Sequence, residues 1–225
     1  MSNAQWHDDQ ATGERALREY KRRADLDSRL GDALRASGIN AADALAVQAL
    51  YATAGAQLEL VGSPASTARL SSCMQYRYEL TRKWGDGPEI CWVMLNPSTA
   101  DAAKDDPTIR RCVGFAKRWG YGGLTVVNLF AWRSTQRAVL KTLADPVGTD
   151  NDRSILEAVG RSESTVIAWG TDGVVRGRSA AVLRMLGLRP VGYFRLTKNG
   201  QPEHPLYQPN EIALQVARAH ELVQP

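Results

Sequence analysis

The sequence is poor in the residues that build metal centres and disulfides. Its 225 residues include three cysteines and three histidines. Cys73, Cys91 and Cys112 show no C-x-x-C spacing, so one chain can supply neither a zinc knot nor a four-cysteine iron–sulfur cluster. We therefore expect no metal, no iron–sulfur cluster, no cofactor and no structural disulfide.

Long apolar runs are missing as well. No stretch approaches the roughly 20 uninterrupted apolar residues of a membrane span, and the N-terminus MSNAQWHDDQ lacks the apolar core of a secretory signal. We expect no membrane contact and a cytoplasmic protein.

Three common catalytic and nucleotide-binding motifs are absent. No strand is followed by G-x-x-x-x-G-K-[ST] or G-x-G-x-x-G, which disfavours nucleoside triphosphates and dinucleotides. No G-x-S-x-G elbow is present, and only His204 of the three histidines falls in a predicted strand-end loop. A Ser-His-Asp hydrolase is therefore disfavoured too.

Charge is unevenly distributed along the chain, whose formal net charge is +4. Residues 1–60 carry 7 Lys and Arg against 9 Asp and Glu, whereas residues 61–225 carry 21 against 15. The basic surplus of the longer part is compatible with a polyanionic partner such as nucleic acid, and equally with a merely soluble basic surface.

The N-terminal part is predicted to be helical. Leucine spacing predicts helices over residues 14–36 and 42–55, and a segment of small and polar residues at 62–72 predicts a linker. We divide the chain into a helical extension over 1–64 and a main domain over 65–225. The helices either pack on the main domain, join a second copy in an oligomer, or form a DNA-contacting arm, which their negative balance disfavours.

The main domain alternates strands and helices. Because helices join its buried strands, we expect right-handed crossovers and a three-layer α/β/α fold with a mainly parallel four-stranded central sheet. An edge strand precedes these four, and Asp106 and Pro107 are predicted to begin the first helix. The predicted strands are 76–80, 89–95, 124–130, 165–170 and 191–196, and the later helices are 150–160, 178–186 and 210–222.

Polar side chains gather where the predicted parallel strands end, which is where such sheets bind ligands. Asn96 precedes Pro97 at one strand end, and its amide can hold a water or read the edge of a base. The alternative is that Asn96 and Pro97 only form the turn that ends the strand. Asn128 interrupts an apolar strand, so its amide must be paired or face a cavity. His204 lies between two prolines that restrict the conformation of its loop. It either serves the site or is a surface histidine without a functional role.

Four segments of the chain resemble those of a known family. Four segments, LNPSTADAAKDDPTIRRCVGFAKRWGYGG, VVNLFAWR, VIAWG and TKNGQPEHPLY, resemble the bacterial and phage family DUF1643 over roughly residues 76–209. More remotely, M-L-N-P-S, VVNLFAWR, AWG and HPLY are similar, in the same chain order, to the loops of the uracil-DNA glycosylase superfamily, in particular its mismatch-specific thymine/uracil branch.

The second resemblance implies a role for each strand end. Asn96 would orient the attacking water, Asn128 would read a flipped base, and His204 would stabilise negative charge on the departing base. Pro97, Ser98 and Trp169 would complete the base-binding set. Asp105 and Asp106 belong to a charged insertion without a counterpart in the superfamily, and one of them could supply a base, support one, or repel phosphate. The basic residues that would hold the DNA backbone are Arg110, Arg111, Lys117, Arg118, Arg133 and Lys198.

Departures from the superfamily pattern indicate an altered or enlarged base specificity, or chemistry other than uracil excision. Ser98 stands where the superfamily has glycine, Leu206 and Tyr207 follow His-Pro in place of Ser-Pro, and Asn96 stands where the most active branch has aspartate. The favoured hypothesis is a metal-independent glycosylase acting by base flipping on an unusual or modified base in double- or single-stranded DNA.

Two alternatives belong to different functional classes. The first is a non-catalytic reader that binds a modified base or nucleotide in the same pocket without releasing it. The second is a nucleotide-modifying transferase or hydrolase that uses Asp105 or Asp106 with the loop at residues 197–199. Selective binding without base release would favour the reader, and a reaction with free nucleotides would favour the transferase or hydrolase.

Overall fold

A computed structural model describes residues 58–63, 66–98, 100 and 104–223. The helices predicted over 14–36 and 42–55 lie outside the described residues. The described part of the predicted 1–64 extension, residues 58–63, forms a strand of the main sheet.

Within the described residues, eight strands form one sheet in the order β1-β2-β3-β5-β4-β6-β7-β8. Their bounds are β1 Leu58–Ser63, β2 Ser66–Leu70, β3 Arg77–Lys83, β4 Glu89–Met94, β5 Gly123–Asn128, β6 Ser164–Ile167, β7 Pro190–Tyr193 and β8 Gln215–Arg218. The β5–β4, β4–β6 and β6–β7 pairs are parallel, and the other four pairs are antiparallel.

The prediction of a mixed α/β fold is confirmed, but the prediction of a mainly parallel four-stranded sheet is wrong. An antiparallel unit of β1, β2 and β3 extends one side of the parallel strands, and β8 extends the other. Both additions cover strand edges whose backbone groups would otherwise lack partners within the sheet.

Three α-helices lie among the described residues: α1 Pro107–Arg118, α2 Asn151–Arg161 and α3 Arg178–Leu186. The predicted start of α1 is confirmed, because the Asp106 side chain accepts the backbone N–H of Ile109 at 2.9 Å and Pro107 occupies the first turn. Short 3-10 helices occupy Arg137–Lys141, Thr171–Gly177, Pro205–Tyr207 and Ala219–Leu222.

Three elements differ from the sequence prediction. Residues 66–70 of the predicted linker form β2, and β3, predicted as an edge strand, lies between β2 and β5. The predicted helix over 210–222 is instead β8 followed by a 3-10 helix. Ile212, Leu214 and Val216 also alternate with period two, so the apolar pattern fits a strand, and pairing with β7 decides the outcome.

Helices cover both faces of the sheet. On one face, Trp92 and Val126 pack with Ile109 and Phe115 of α1. On the other face, Val93 and Val127 pack with residues of α2 and α3. Side chains of β4 alternate between the two cores, which explains its continuous apolar sequence. Within the described ranges, no helix combines the length and apolar composition needed to cross a membrane.

Candidate functional site

A cavity of about 230 Å³ opens at the carboxyl ends of the parallel strands, beside the start of α1. Sequence reasoning expects a site at this edge of the sheet. Six of the residues singled out from the sequence line it: Asn96, Ser98, Asp106, Asn128, Trp169 and His204.

Pairing between β4 and β5 sets the two asparagines at neighbouring strand ends. Met94 is the register partner of Asn128, and the backbone N–H of Leu129 donates to Met94 O at 2.8 Å. The loops beyond are also joined, because Ser134 N donates to Pro97 O at 2.9 Å. These hydrogen bonds therefore fix the ends of β4 and β5, with Asn96 and Asn128, in position at the cavity.

The Asn96 carboxamide has a defined orientation. Its Nδ2 donates to Ser134 O at 2.8 Å and to Pro97 O at 3.1 Å. Both partners are carbonyl oxygens, so only the amide nitrogen can face them. Oδ1 is left as the hydrogen-bond acceptor of this side chain, which suits a water or a donor group of a ligand.

Asn128 presents an unpartnered donor. The residue is 1% exposed and lines the cavity, and its Nδ2 has no hydrogen-bond partner among the described residues. Its backbone is well held, because Asn151 Nδ2 donates to Asn128 O at 3.0 Å. Buried amide groups are rarely left unpaired, so an acceptor on a bound ligand would complete this one.

Trp169 forms a rigid wall of the cavity rather than a mobile face. Its Nε1 donates to Gln201 Oε1 at 2.9 Å, and the side chain is almost fully buried. Gly173 lies against this pair, since a Cβ there would come within 2.1 Å of the indole Cδ1. The contact joins the end of β6 to the loop that carries His204.

The His204 ring has its tautomer set by the loop. Nδ1 accepts the backbone N–H of Leu206 at 3.3 Å at the start of a 3-10 helix that begins with Pro205. An Nδ1 acceptor places the proton of the neutral ring on Nε2. Nε2–H is therefore the donor with which this side chain can contact a ligand.

Electrostatics keep His204 neutral. Burial, and then the nearby Arg137 cation, lower its pKa to about 4, while Asp106 opposes the shift. A neutral imidazole at pH 7 acts as a hydrogen-bond donor and not as a cation.

The structure separates the two candidate carboxylates. Asp106 lines the cavity and caps α1 through one of its oxygens. Asp105 lies outside the cavity lining and pairs with the buried Arg82 at 2.8 Å. Asp106 is therefore the carboxylate that could act on a bound molecule, and Asp105 is a structural ion-pair partner.

Arg77 is the most important lining residue that sequence reasoning missed. The residue lines the cavity and is 2% exposed, and its Nη1 donates to Ala100 O. Because β3 runs antiparallel to β5, the start of β3 reaches the same sheet edge as the end of β5. No local sequence signal marks Arg77, because its placement depends on the antiparallel pairing of β3 with β5. Arg137, Ser134 and Thr135 also line the cavity without having been predicted.

Several other predicted residues lie outside the cavity lining. Pro97 is buried and contributes its carbonyl oxygen to the loop, while Lys198 is exposed on the loop after β7. Arg133 Nη1 donates to Met74 O at 3.1 Å, and Arg110 Nη1 to Asp105 O at 2.7 Å.

The basic face of α1 is divided. Lys117 and Arg118 lie over the rings of Trp84 and Phe115 at the far end of the helix. At 1.5 Å per residue, that end is roughly 17 Å from Asp106. These two side chains therefore do not form a rim of the cavity.

Comparison with known proteins bears on the family and not on the function. The family model described as "Protein of unknown function (DUF1643)" matches residues 77–206. The chain belongs to this family. No curated protein and no solved structure matches it.

The matched region of this DUF1643 chain contains nearly the whole cavity. It begins at Arg77 and ends at Leu206, and of the lining residues only Tyr207 falls outside it. Strands β1, β2 and β8 lie beyond the matched residues. The cavity is thus a feature of the family domain and not of the flanking strands.

The cysteines of this DUF1643 chain do not serve the cavity. Cys91 and Cys112 are buried in the two cores, and Cys73 is exposed. Burial raises the pKa of the Cys91 thiol to about 12, and it also raises the pKa of Cys112. Both stay protonated at neutral pH, which disfavours a thiolate nucleophile.

Proposed function

We propose that this DUF1643 protein is a DNA glycosylase-like enzyme that hydrolyses the N-glycosidic bond of an unusual or modified base flipped out of DNA. The observation that carries the proposal is the unpartnered, buried Nδ2 of Asn128 in a cavity that Asn96, Asp106 and His204 also line. The remote resemblance to the uracil-DNA glycosylase superfamily, with its three-layer α/β/α fold, motivates the choice of reaction.

Each lining group supplies one part of the reaction. Asn128 Nδ2 donates to an acceptor on the base, and Asn96 Oδ1 accepts a hydrogen bond from the attacking water. Asp106 takes a proton from that water as its oxygen bonds to C1′ of the sugar. The glycosidic bond breaks, and its electron pair leaves with the base, whose negative charge His204 Nε2–H stabilises until the base takes a proton from solvent; Asp106 then returns its proton to solvent.

The neutral state of His204 fits this chemistry. The sugar becomes cationic in the transition state while charge builds up on the base. A low pKa keeps the imidazole uncharged at pH 7, so it can donate to the base without adding a cation near the sugar.

Exposed apolar groups at the cavity support contact with an opened duplex. Tyr207 is 79% exposed and Leu206 is 39% exposed, and both line the cavity beside His204. Proteins that distort DNA often place apolar side chains against unstacked bases. Arg137, also exposed and at the cavity, pairs with Asp172 at 3.3 Å and would exchange this partner for a phosphate of the DNA.

The test uses duplex and single-stranded oligonucleotides that each carry one uracil, hypoxanthine, xanthine or 5-hydroxymethyluracil. Alkaline cleavage scores abasic sites, and fluorescence anisotropy scores binding. We expect the wild type to produce alkali-labile sites in at least one substrate and the double variant Asn96→Ala, His204→Ala to produce none. Asp86→Ala is the surface control and should retain activity, because Asp86 is exposed on the loop before β4, at the opposite end of the parallel strands from the cavity.

Other outcomes decide between the alternatives. Selective binding of one modified oligonucleotide without base release would identify a non-catalytic reader, whose binding still requires Asn128. Conversion of free nucleotides with little affinity for DNA would favour the nucleotide-modifying alternative. Equal base release by the wild type and the double variant would overturn the assigned roles.

A further inference from the structure

Arg111 binds the loop that carries His204. Its Nε donates to Pro205 O at 3.4 Å, Nη1 donates to the Asn210 side chain and Nη2 donates to Gln208 O. The guanidinium also lies 4.6 Å from the centre of the Phe115 ring. All three nitrogens of this α1 side chain therefore serve one segment some 95 residues further along the chain.

A second set of contacts continues from this segment to His204. The Gln208 side chain is buried, and its Nε2 donates to His204 O at 3.3 Å and to Glu203 Oε2 at 3.0 Å. Arg111 holds the backbone of Gln208, and Gln208 holds the backbone of His204. Arg111 thus fixes to α1 the first residue of the 3-10 helix that starts after His204 and the segment that follows this helix, and Gln208 extends the connection to His204.

We infer that Arg111 is a positioning residue that holds the His204 imidazole at the cavity, and not a phosphate ligand as its place on a basic helix predicts. Its planar fork fits three acceptors at once, which a lysine ammonium cannot do with the same geometry. The inference rests on the proposed function in one respect, which is that His204 contacts the ligand.

The surroundings of His204 provide a readout of its position. The groups that face it from neighbouring elements are Arg137, from the 3-10 helix after β5, and Asp106, from the start of α1. Tyr207 and Glu203 lie on its own loop, with the Tyr207 ring centre 6.0 Å from the imidazole centre. Burial among these groups lowers the His204 pKa, so release of the loop into water would raise it.

The experiment is an NMR titration of the histidine ring protons in the full chain, with no substrate present. His204→Asn assigns the signal among the three histidines. We expect the wild-type His204 midpoint near 4. In Arg111→Ala we expect a midpoint about one pH unit or more higher, toward the ordinary value of about 6.5.

Arg118→Ala is the matched control, because Arg118 lies on the same helix and over the same Phe115 ring but makes no bond to the loop. It should leave the His204 midpoint unchanged. Arg111→Lys keeps the positive charge and the aliphatic part of the side chain, so it serves as the second variant if Arg111→Ala does not fold. The His204 midpoint should also rise in Arg111→Lys.

An unchanged His204 midpoint in a folded Arg111 variant would overturn the inference. Because the titration needs no reaction, this outcome is distinguishable from failure of the proposed function, which is scored by base release alone. A raised midpoint supports the positioning role whether or not the wild type releases a base.

Discussion

Asn96 donates its side-chain amide to the carbonyl oxygen of Ser134 at 2.8 Å, and this bond directs its Oδ1 away from that carbonyl. A second carbonyl, that of Pro97, accepts from the same nitrogen. The side chain is therefore fixed by the loops after β4 and β5, and its chemistry depends on being an amide.

Replacing Asn96 by aspartate should not give a more active enzyme. An ionised carboxylate would face two carbonyl oxygens without a donor, which costs about 1–3 kcal/mol in the free energy of unfolding. We expect Asn96→Asp to be less stable than Asn96→Ala at pH 7 in urea unfolding, with the gap closing as the carboxyl is protonated at low pH. An Asn96→Asp protein as stable as the wild type at pH 7 would contradict this orientation.

Two neighbouring aspartates should behave differently when neutralised. Asn is as good a helix cap as Asp, so the Asp106→Asn variant should fold normally. Its rate of nucleobase release should fall about 100-fold or more, because the general base that takes a proton from the water is lost. Asp105→Asn should retain base release but lose about 1 kcal/mol of stability, because it breaks the pair with Arg82. Rate measurements and urea unfolding on both variants check this. The reverse pattern would exchange their roles.

His204 should make the stability of the protein depend on pH. Its pKa is about 4 in the folded chain and about 6.5 when unfolded, so the unfolded state binds more protons between these values. The stabilisation that comes from neutral His204 is fully present above pH 6.5 and is lost as the pH falls toward 4, by on the order of 3 kcal/mol. Urea unfolding from pH 7 to pH 4 should show a shallower loss in His204→Gln than in the wild type. Identical slopes would contradict a buried, neutral His204.

A methyl group at Gly173 should damage the cavity wall. Its Cβ would meet the Trp169 indole and lie 2.7 Å from Gln201 Oε1. We expect Gly173→Ala to lose about 1–3 kcal/mol of stability and the capacity to bind a ligand. Gly114→Ala on α1 is the control, since its Cβ would meet no atom within 4 Å apart from its chain neighbours and the nearby helix backbone, and it should gain up to about 1 kcal/mol. Thermal unfolding compares the two variants, and equal unfolding midpoints for Gly173→Ala and Gly114→Ala would contradict close packing around Gly173.

The sequence was informative where one physical rule applied. Parallel strands bring their carboxyl ends to a single sheet edge, so Asn96, Asn128, Trp169 and His204 could be expected together before any coordinates. The structure brings all four to one cavity. The N-cap of α1 was predictable because Asp106 and Pro107 are local signals.

Other features depend on contacts that no local pattern encodes. Arg77 reaches the cavity only because β3 is internal and antiparallel, which the period of its residues does not reveal. The basic residues of α1 look equivalent in sequence, but Arg111 bonds to the loop after β7 whereas Lys117 lies at the other end of the helix. The segment before the C-terminus fits both a helix and a strand, and its partner β7 decides.

The most direct test of the proposed activity is mass-spectrometric detection of free bases released from DNA rich in modified bases, such as a panel of phage genomic DNAs. This measurement does not require the base to be known beforehand. We predict that the wild type releases one base above background and that the Asn96→Ala, His204→Ala variant releases none. Absence of any released base with the wild type, or equal release by the variant, would contradict the account.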